Sequence, residues 1–265
     1  METGTAVTFR AVLRGAGRFA QDAAAWDTAV RAPVGTSRRM TFLAADGGTG
    51  TTTLASAVAL TLARRRTGPV LALDAAGGPS ALRTRLDVDD APALDDVAYG
   101  TPVRSLADAR EATREARPGL HLAGASGWPP HLSVWTDAAA ALGRFFEVVV
   151  TDAGRRTPDD AAQLAAESHV TAVVARTDAG AFAAGRNLAD SLRGALPHAP
   201  VVLVLVGVAP GEPPFVHSAR PGSLAVPHDH AAARSLGTPL PQLDAQTRAA
   251  VAQTAAHLLT EARSA

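Results

Sequence analysis

MTFLAADGGTGTTTLASAVA, Met40 to Ala59, is the stretch whose reading decides the fold. A short apolar run (Met40, Phe42, Leu43, Ala44) reads as a buried strand. It stops at Asp46-Gly47-Gly48-Thr49-Gly50, and a helical pattern follows at once through Leu54, Ala57, Val58 and Leu62. Strand, Gly-rich turn, helix is the geometry of a phosphate-binding loop: glycines let backbone N–H groups converge on an anion, and the helix N-terminus adds its positive dipole end. The full motif G-x-x-x-x-G-K-[ST] also carries a Lys that neutralises the β- and γ-phosphates. Here that position is Thr51. The scaffold of a nucleotide site is present and its main charge is missing.

Outward from this turn the chain repeats one form. Val70 to Leu73 is a second apolar strand ending at Asp74, and Val148-Val149-Val150-Thr151 leads to Asp152. Val170 to Ala175 and Val201 to Val206 follow, with Leu120 to Ala123 as a third strand and Leu224 to Val226 as a short last one. Helical patterns lie between them at Leu94–Tyr99, Thr136–Phe146, Asp159–Glu167 and Ala179–Arg193, and Asp244 to Ala262 closes the chain. Continuous apolar strands alternating with helices specify an α/β fold, a doubly wound, mostly parallel sheet covered on both faces. Loops at the strand C-termini then carry the site, and Asp46, Asp74 and Asp152 all fall there. Where a nucleotide is held this way, a Ser/Thr hydroxyl and a distal Asp organise Mg²⁺; Thr52 and Asp152 fill those places. Gly207 to Pro221 is rich in Pro and Gly and reads as a loop.

Composition narrows the class. The 265 residues are 47% hydrophobic and only 4% aromatic, so the core is built from Ala, Val and Leu. The 25 basic residues, all Arg, balance 25 acidic ones, which leaves no global field for nucleic acid or anionic lipid. Cys is absent, which excludes disulfides and thiolate chemistry. No run approaches the ~18 apolar residues of a membrane span, and the N-terminus has no apolar leader, so a cytoplasmic protein without membrane association is expected. Residues 5–30 look helical, with Arg10, Arg14 and Arg18 forming one stripe. This gives a helical extension over 1–37 and one main domain over 38–265. Arg64-Arg65-Arg66 ends the helix after the Gly-rich turn, where the dipole favours cations. His228 and His230 flank Asp229 but, on alternate residues of an extended loop, are expected to point apart.

With these motifs in place, the chain resembles the MinD/ParA branch of P-loop ATPases. That branch carries a Walker A turn of the form K-G-G-x-G-K-T-T, matched here by Asp46-Gly47-Gly48-Thr49-Gly50-Thr51-Thr52-Thr53. Its later strands end V-L-x-x-D-x-D and V-x-x-D-x-P, matched by Val70 to Ala76 through Asp74 and by Val148 to Ala153 through Asp152. Ala225-Val226-Pro227-His228-Asp229 resembles the V-P-x-D loop near the adenine, so Pro227 and Asp229 join the implied nucleotide-binding set. The segments Val30-Arg31-Ala32-Pro33, Arg38-Arg39-Met40 and Leu240-Pro241-Gln242-Leu243-Asp244 are similar to MinD-like proteins of type VII (ESX) secretion.

The departures carry equal weight. The resemblance implies a Lys at position 46 that reaches a partner subunit's phosphates in a nucleotide sandwich dimer, and here it is Asp46. The second loop Lys is Thr51, and the water-orienting Asp of D-x-D is Ala76. A carboxylate about 5 Å from one phosphate charge costs roughly 3 kcal/mol at an effective dielectric near 20. The expected function is therefore a pseudo-ATPase, a binding or scaffold module with no required cofactor, weak ATP/Mg²⁺ binding and a protein partner: itself, a MinD-like relative or secretion machinery. One alternative is a residually active ATPase in which Arg155 or Arg156 supplies the charge. The other is a dinucleotide-binding oxidoreductase, since Gly48-x-Gly50 follows a strand, although the third glycine of G-x-G-x-x-G falls at Thr53.

Overall fold

A computed structural model describes residues 19–78, 82–88, 90–125, 127–208, 223–234 and 242–265. The Arg10–Arg14–Arg18 stripe, most of the Gly207–Pro221 segment, and Leu240 and Pro241 lie outside these residues. Among them the sheet has eight strands: β1 (Arg38–Ala44), β2 (Val70–Asp74), β3 (Arg114–Arg117), β4 (Leu120–Gly124), β5 (Val148–Gly154), β6 (Val170–Arg176), β7 (Val201–Val208) and β8 (Ser223–Pro227). Their order is β3-β4-β2-β5-β1-β6-β7-β8, and every pairing is parallel except β3 with β4. The doubly wound α/β fold read from the sequence is the fold observed.

β1 sits at the centre, with Met40 level with Val150 of β5 on one side and Val170 of β6 on the other. Consecutive side chains leave opposite faces of a strand. Phe42 accordingly enters the core packed by α2 (Thr51–Arg65) and α10 (Ala245–Ser264), while Leu43 enters the one packed by α6 (Leu132–Gly143), α7 (Pro158–Ala166) and α8 (Ala179–Ala195). Both residues are fully buried, which is why β1 reads as continuously apolar. Each such burial contributes about 1.5–3 kcal/mol.

Sequence pattern missed β3, α3 (Leu82–Leu86) and α5 (Leu106–Glu111). β3 is Arg-Glu-Ala-Arg, an antiparallel edge strand with one buried side chain, so it carries no apolar run. Gly207, expected to open a loop, belongs to β7, where a register shift lies between Val206 and Val208.

Residues 19–31 form helix α1, with Val30 fully buried and Trp26 packed on the core. The arginines after α2 tie it down. Arg66 is nearly buried; Nη2 pairs with Glu147 at 2.7 Å, and Nη1 donates to the carbonyls of Val30 and Ala32 at 2.6 and 3.0 Å. Arg65 reaches Asp27 at 3.1 Å. Arg64 and Arg65 lie in the last turn of α2, where the dipole favours them, but the dipole does not by itself account for the run: Arg66 is an internal clasp.

Candidate functional site

β1 is held to the sheet through its end, where Ala45 N–H donates to Val174 O at 3.0 Å. The chain then turns through Gly48 (φ 68°) and Gly50 (φ 82°), left-handed values that favour glycine, and α2 opens with Leu54 N–H donating to Gly50 O at 2.9 Å. No side chain caps α2, and no acidic residue lies in its first turn. Its N-terminus keeps the polarity of an anion site. The side chains work against that. Asp46 places a carboxylate in the turn, where Oδ1 accepts the Gly47 N–H at 2.7 Å. Thr49 and Thr51, both buried, are hydrogen-bonded through their hydroxyls at 2.7 Å. The position that resembles the motif Lys is therefore a small hydroxyl satisfied within the loop.

Asp152 and Asp74 stand level on neighbouring strands β5 and β2, and both are fully buried. Asp74 is spent: Oδ1 accepts N–H groups of Ala76 and Gly77 at 3.2 and 3.1 Å, and Oδ2 accepts that of Leu82 at 2.7 Å. Burial still holds its carboxyl above the ordinary range. Asp152 has one such bond, from Gly154 N–H at 3.2 Å to Oδ1, while its buried Oδ2 lacks a partner within hydrogen-bonding distance. Burial first, and then the Asp74 charge, push its pKa up to about 7; the neighbouring Thr52 hydroxyl, Gly154 N–H and Arg156 pull the other way. In donor chemistry Thr52 and Asp152 fit a divalent cation, since an orphaned carboxylate oxygen beside a hydroxyl is what Mg²⁺ takes. The turn above them does not fit a triphosphate in charge.

Arg156 closes the floor of the site. Its guanidinium donates to Ala153 O and Pro130 O at 3.1 Å each and to Ala75 O at 2.5 Å, joining the loops after β5, β4 and β2. Gly77 completes this junction, because a side chain there would collide with the backbone of Gly127 and Trp128.

A cleft of about 660 Å³ opens over the turn. It brings together Gly47, Gly48, Thr49, Gly50, Thr51, Thr52 and Thr53 with Pro227 and Asp229, whereas Asp74 and Asp152 lie beneath its lining. Asp229 is also engaged: Oδ1 accepts Ala231 and Ala232 N–H at 2.8 and 2.9 Å, and Oδ2 accepts that of Asp244 at 2.8 Å. Burial opposes ionisation, but these donors and the Thr247 hydroxyl hold its pKa below the usual carboxylate range. It thereby links α9 (His230–Arg234) to the start of α10. His228 and His230 do not point apart; their rings meet edge to face at 4.8 Å. Among the described residues no group of three His, Cys, Asp or Glu side chains could hold a metal.

Arg85, Arg155 and Arg176 also line the cleft. Arg85 is desolvated, which lowers its pKa, and its Nη1 donates to Ala232 O at 3.3 Å; Arg176 pairs with Asp178 at 3.0 Å. Sequence reasoning named Arg155 but not the other two. Arg176 could have been found as the residue ending a core strand. Arg85 lies in α3, a five-residue helix between buried Leu82 and Leu86 that the sequence reading did not identify.

Solved structures share this fold. A ParA-family ATPase from Chlorobium tepidum TLS superposes with a TM-score of 0.67 at 17% identity, over 83% of this chain and 99% of that one. A chain of the MinC:MinD cell division complex of Aquifex aeolicus gives 0.65 at 14%, over 84% and 95%. The septum site-determining protein MinD of Pyrococcus horikoshii OT3, complexed with Mg-ADP, gives 0.64 at 17%, over 83% and 94%. No protein-family model matches the sequence, and no curated protein does. At these identities the likeness is one of fold.

Proposed function

We propose that this chain is a MinD/ParA-like P-loop protein with a degraded nucleotide site, acting as a pseudo-ATPase: a binding or scaffold module with little or no hydrolysis. The observation that carries this reading is the interior of the turn. Between Asp46 and Thr53 it holds one carboxylate and no cation, with Asp46 bonded to Gly47 and Thr49 to Thr51. Phosphoryl transfer depends on positioned positive charge, and none is built into the turn itself, the arginines of the cleft, Arg155 among them, lying on other segments. Arg156 is unsuited to replace it, since its guanidinium is committed to three backbone carbonyls. Ala76 stands where a water-orienting carboxylate is implied, and its methyl group would meet any side chain added at Gly154.

Were Mg²⁺ and a nucleotide bound, Thr52 and Asp152 would hold the metal, which would supply charge neutralisation at the phosphates. The chain's own residues orient through backbone: the glycine turn and the start of α2 shape the anion position. A protein partner follows from the same reading, a second copy or a MinD-like relative; one neighbour in fold comes from a MinC:MinD complex. A role beside type VII secretion machinery rests on the resemblance around residues 30–40 and 240–244.

Titration of the purified chain with ATP and Mg²⁺, followed by thermal unfolding, tests the proposal. A ligand bound only by the folded state raises stability by RT ln(1 + [L]/Kd). The expected result is no resolved shift at micromolar ATP and no phosphate release above background. A micromolar Kd with turnover would overturn it.

A further inference from the structure

The cleft has two linings of different chemistry, which meet where Val206 lies beside Gly50. One is the anion-hostile turn just described. The other is an apolar wall of Leu54, Ala57, Val206, Val226, Leu243 and Val251, formed where α2, β7, β8 and α10 meet. Beside that wall β7 bulges. Val206 is level with Val226 and Val208 with Pro227, so Gly207 (φ 80°) is left out of the ladder, and its backbone lines the cleft. A bulge at a sheet's C-terminal edge aims backbone donors and acceptors into a site instead of a neighbouring strand. An apolar wall with a hydrogen-bonding backbone edge beside it suits a heterocyclic base. The volume, about 660 Å³, is of the size that takes a small organic ligand. Arg85, Arg155 and Arg176 also line the cleft, Arg85 donating to Ala232 O of α9 and Arg176 pairing with Asp178.

We infer that the cleft takes a nucleoside or nucleoside monophosphate in preference to the corresponding di- or triphosphate. This rests on the degraded-site reading above and names the ligand class that reading leaves. The wall and the bulged Gly207 hold the base. One anionic group can be met by an arginine of the lining, while further phosphates reach the turn, where Asp46 stands and no Lys receives them. The usual gain in affinity along the series nucleoside, mono-, di- and triphosphate is flattened or reversed.

Calorimetric titration of the full chain with adenosine, AMP, ADP and ATP, and with the guanosine series, tests this with and without Mg²⁺. The expected result is one nucleoside or monophosphate binding at least as tightly as its triphosphate. Asp46→Asn should tighten triphosphate binding at least about tenfold and leave the nucleoside unchanged. Ala232→Trp, at the half-buried mouth, should abolish nucleoside binding while circular dichroism shows an intact fold. If no compound binds at millimolar concentration, the inference fails and the pseudo-ATPase reading stands. If every triphosphate binds more tightly than its nucleoside and monophosphate, the inference fails, and the pseudo-ATPase reading falls with it only where that binding is micromolar and accompanied by turnover. Nucleoside binding unchanged in Ala232→Trp, or triphosphate binding unchanged in Asp46→Asn, overturns the assignment to this cleft.

Discussion

Asp46 and Thr51 together separate the shape of the turn from its charge. The left-handed Gly48 and Gly50 keep the backbone of an anion nest, so restoring charge should restore binding. The double variant Asp46→Lys/Thr51→Lys is expected to bind ATP on the order of 100-fold more tightly than the natural chain, read as nucleotide-dependent thermal stabilisation. Hydrolysis should stay poor, because Ala76 is unchanged; absence of any gain would show that the turn has lost its shape too. Asp152 makes a second prediction. Its folded pKa, about 7, lies above the ordinary value, so between roughly pH 4 and pH 7 the folded chain holds a proton that the unfolded chain has released. Stability from this group is present at low pH and is lost as pH rises to 7. Urea unfolding at pH 5 and pH 8 should show the natural chain losing about 2–3 kcal/mol more than Asp152→Asn over that interval. Equal losses would mean that the carboxyl titrates normally. These residues were legible as positions in the sequence: Asp152 ends an apolar strand and Thr51 sits in a motif slot. Their roles as partners were not, since the bond from Thr49 to Thr51 and the orphaned Oδ2 depend on side-chain directions that one-dimensional spacing leaves open.

Elements that bury both faces announce themselves, and elements at edges do not. β1, β2, β5, β6 and β7 were read from continuous Val, Leu and Ala runs, and each is central in the sheet. β3 was missed because an edge strand of Arg-Glu-Ala-Arg buries only Ala116, and α5 because it buries only Ala109; α3 was missed as well. The Arg66 clasp was invisible for another reason: its partners, Glu147 and the carbonyls of Val30 and Ala32, are far apart in the chain. Gly68 belongs to this clasp, because any side chain there would collide with the Glu147 carboxyl group. Arg66→Ala should destabilise the protein by about 2 kcal/mol, less than for a fully buried pair because Glu147 remains partly exposed. It should also speed amide hydrogen exchange across residues 19–31 ahead of the rest. Arg66→Lys should rescue little, since an ammonium group does not span the same fork of acceptors. Unchanged exchange in 19–31 would show that α1 is held by Trp26 and Val30 alone.

At the scale of the molecule, parallel topology places the turn after β1, the junction held by Arg156 and the bulge at Gly207 on one edge of one sheet. Arg156→Ala should loosen the loops after β2, β4 and β5 together, seen as coordinated new cleavage by protease near residues 75–78, 127–130 and 153–156. Cleavage at only one of these loops would mean that they are not coupled. The central place of β1 also has a consequence in time. Both its neighbours, β5 and β6, are encoded over a hundred positions later. At about 5–20 residues per second of synthesis, β1 waits roughly 5–25 s on the ribosome before either strand exists to cover its edges. Until then its apolar run has only α2 to fold against, so nascent chains stalled before Val170 should be captured by holding chaperones, and chains released beyond β6 should not.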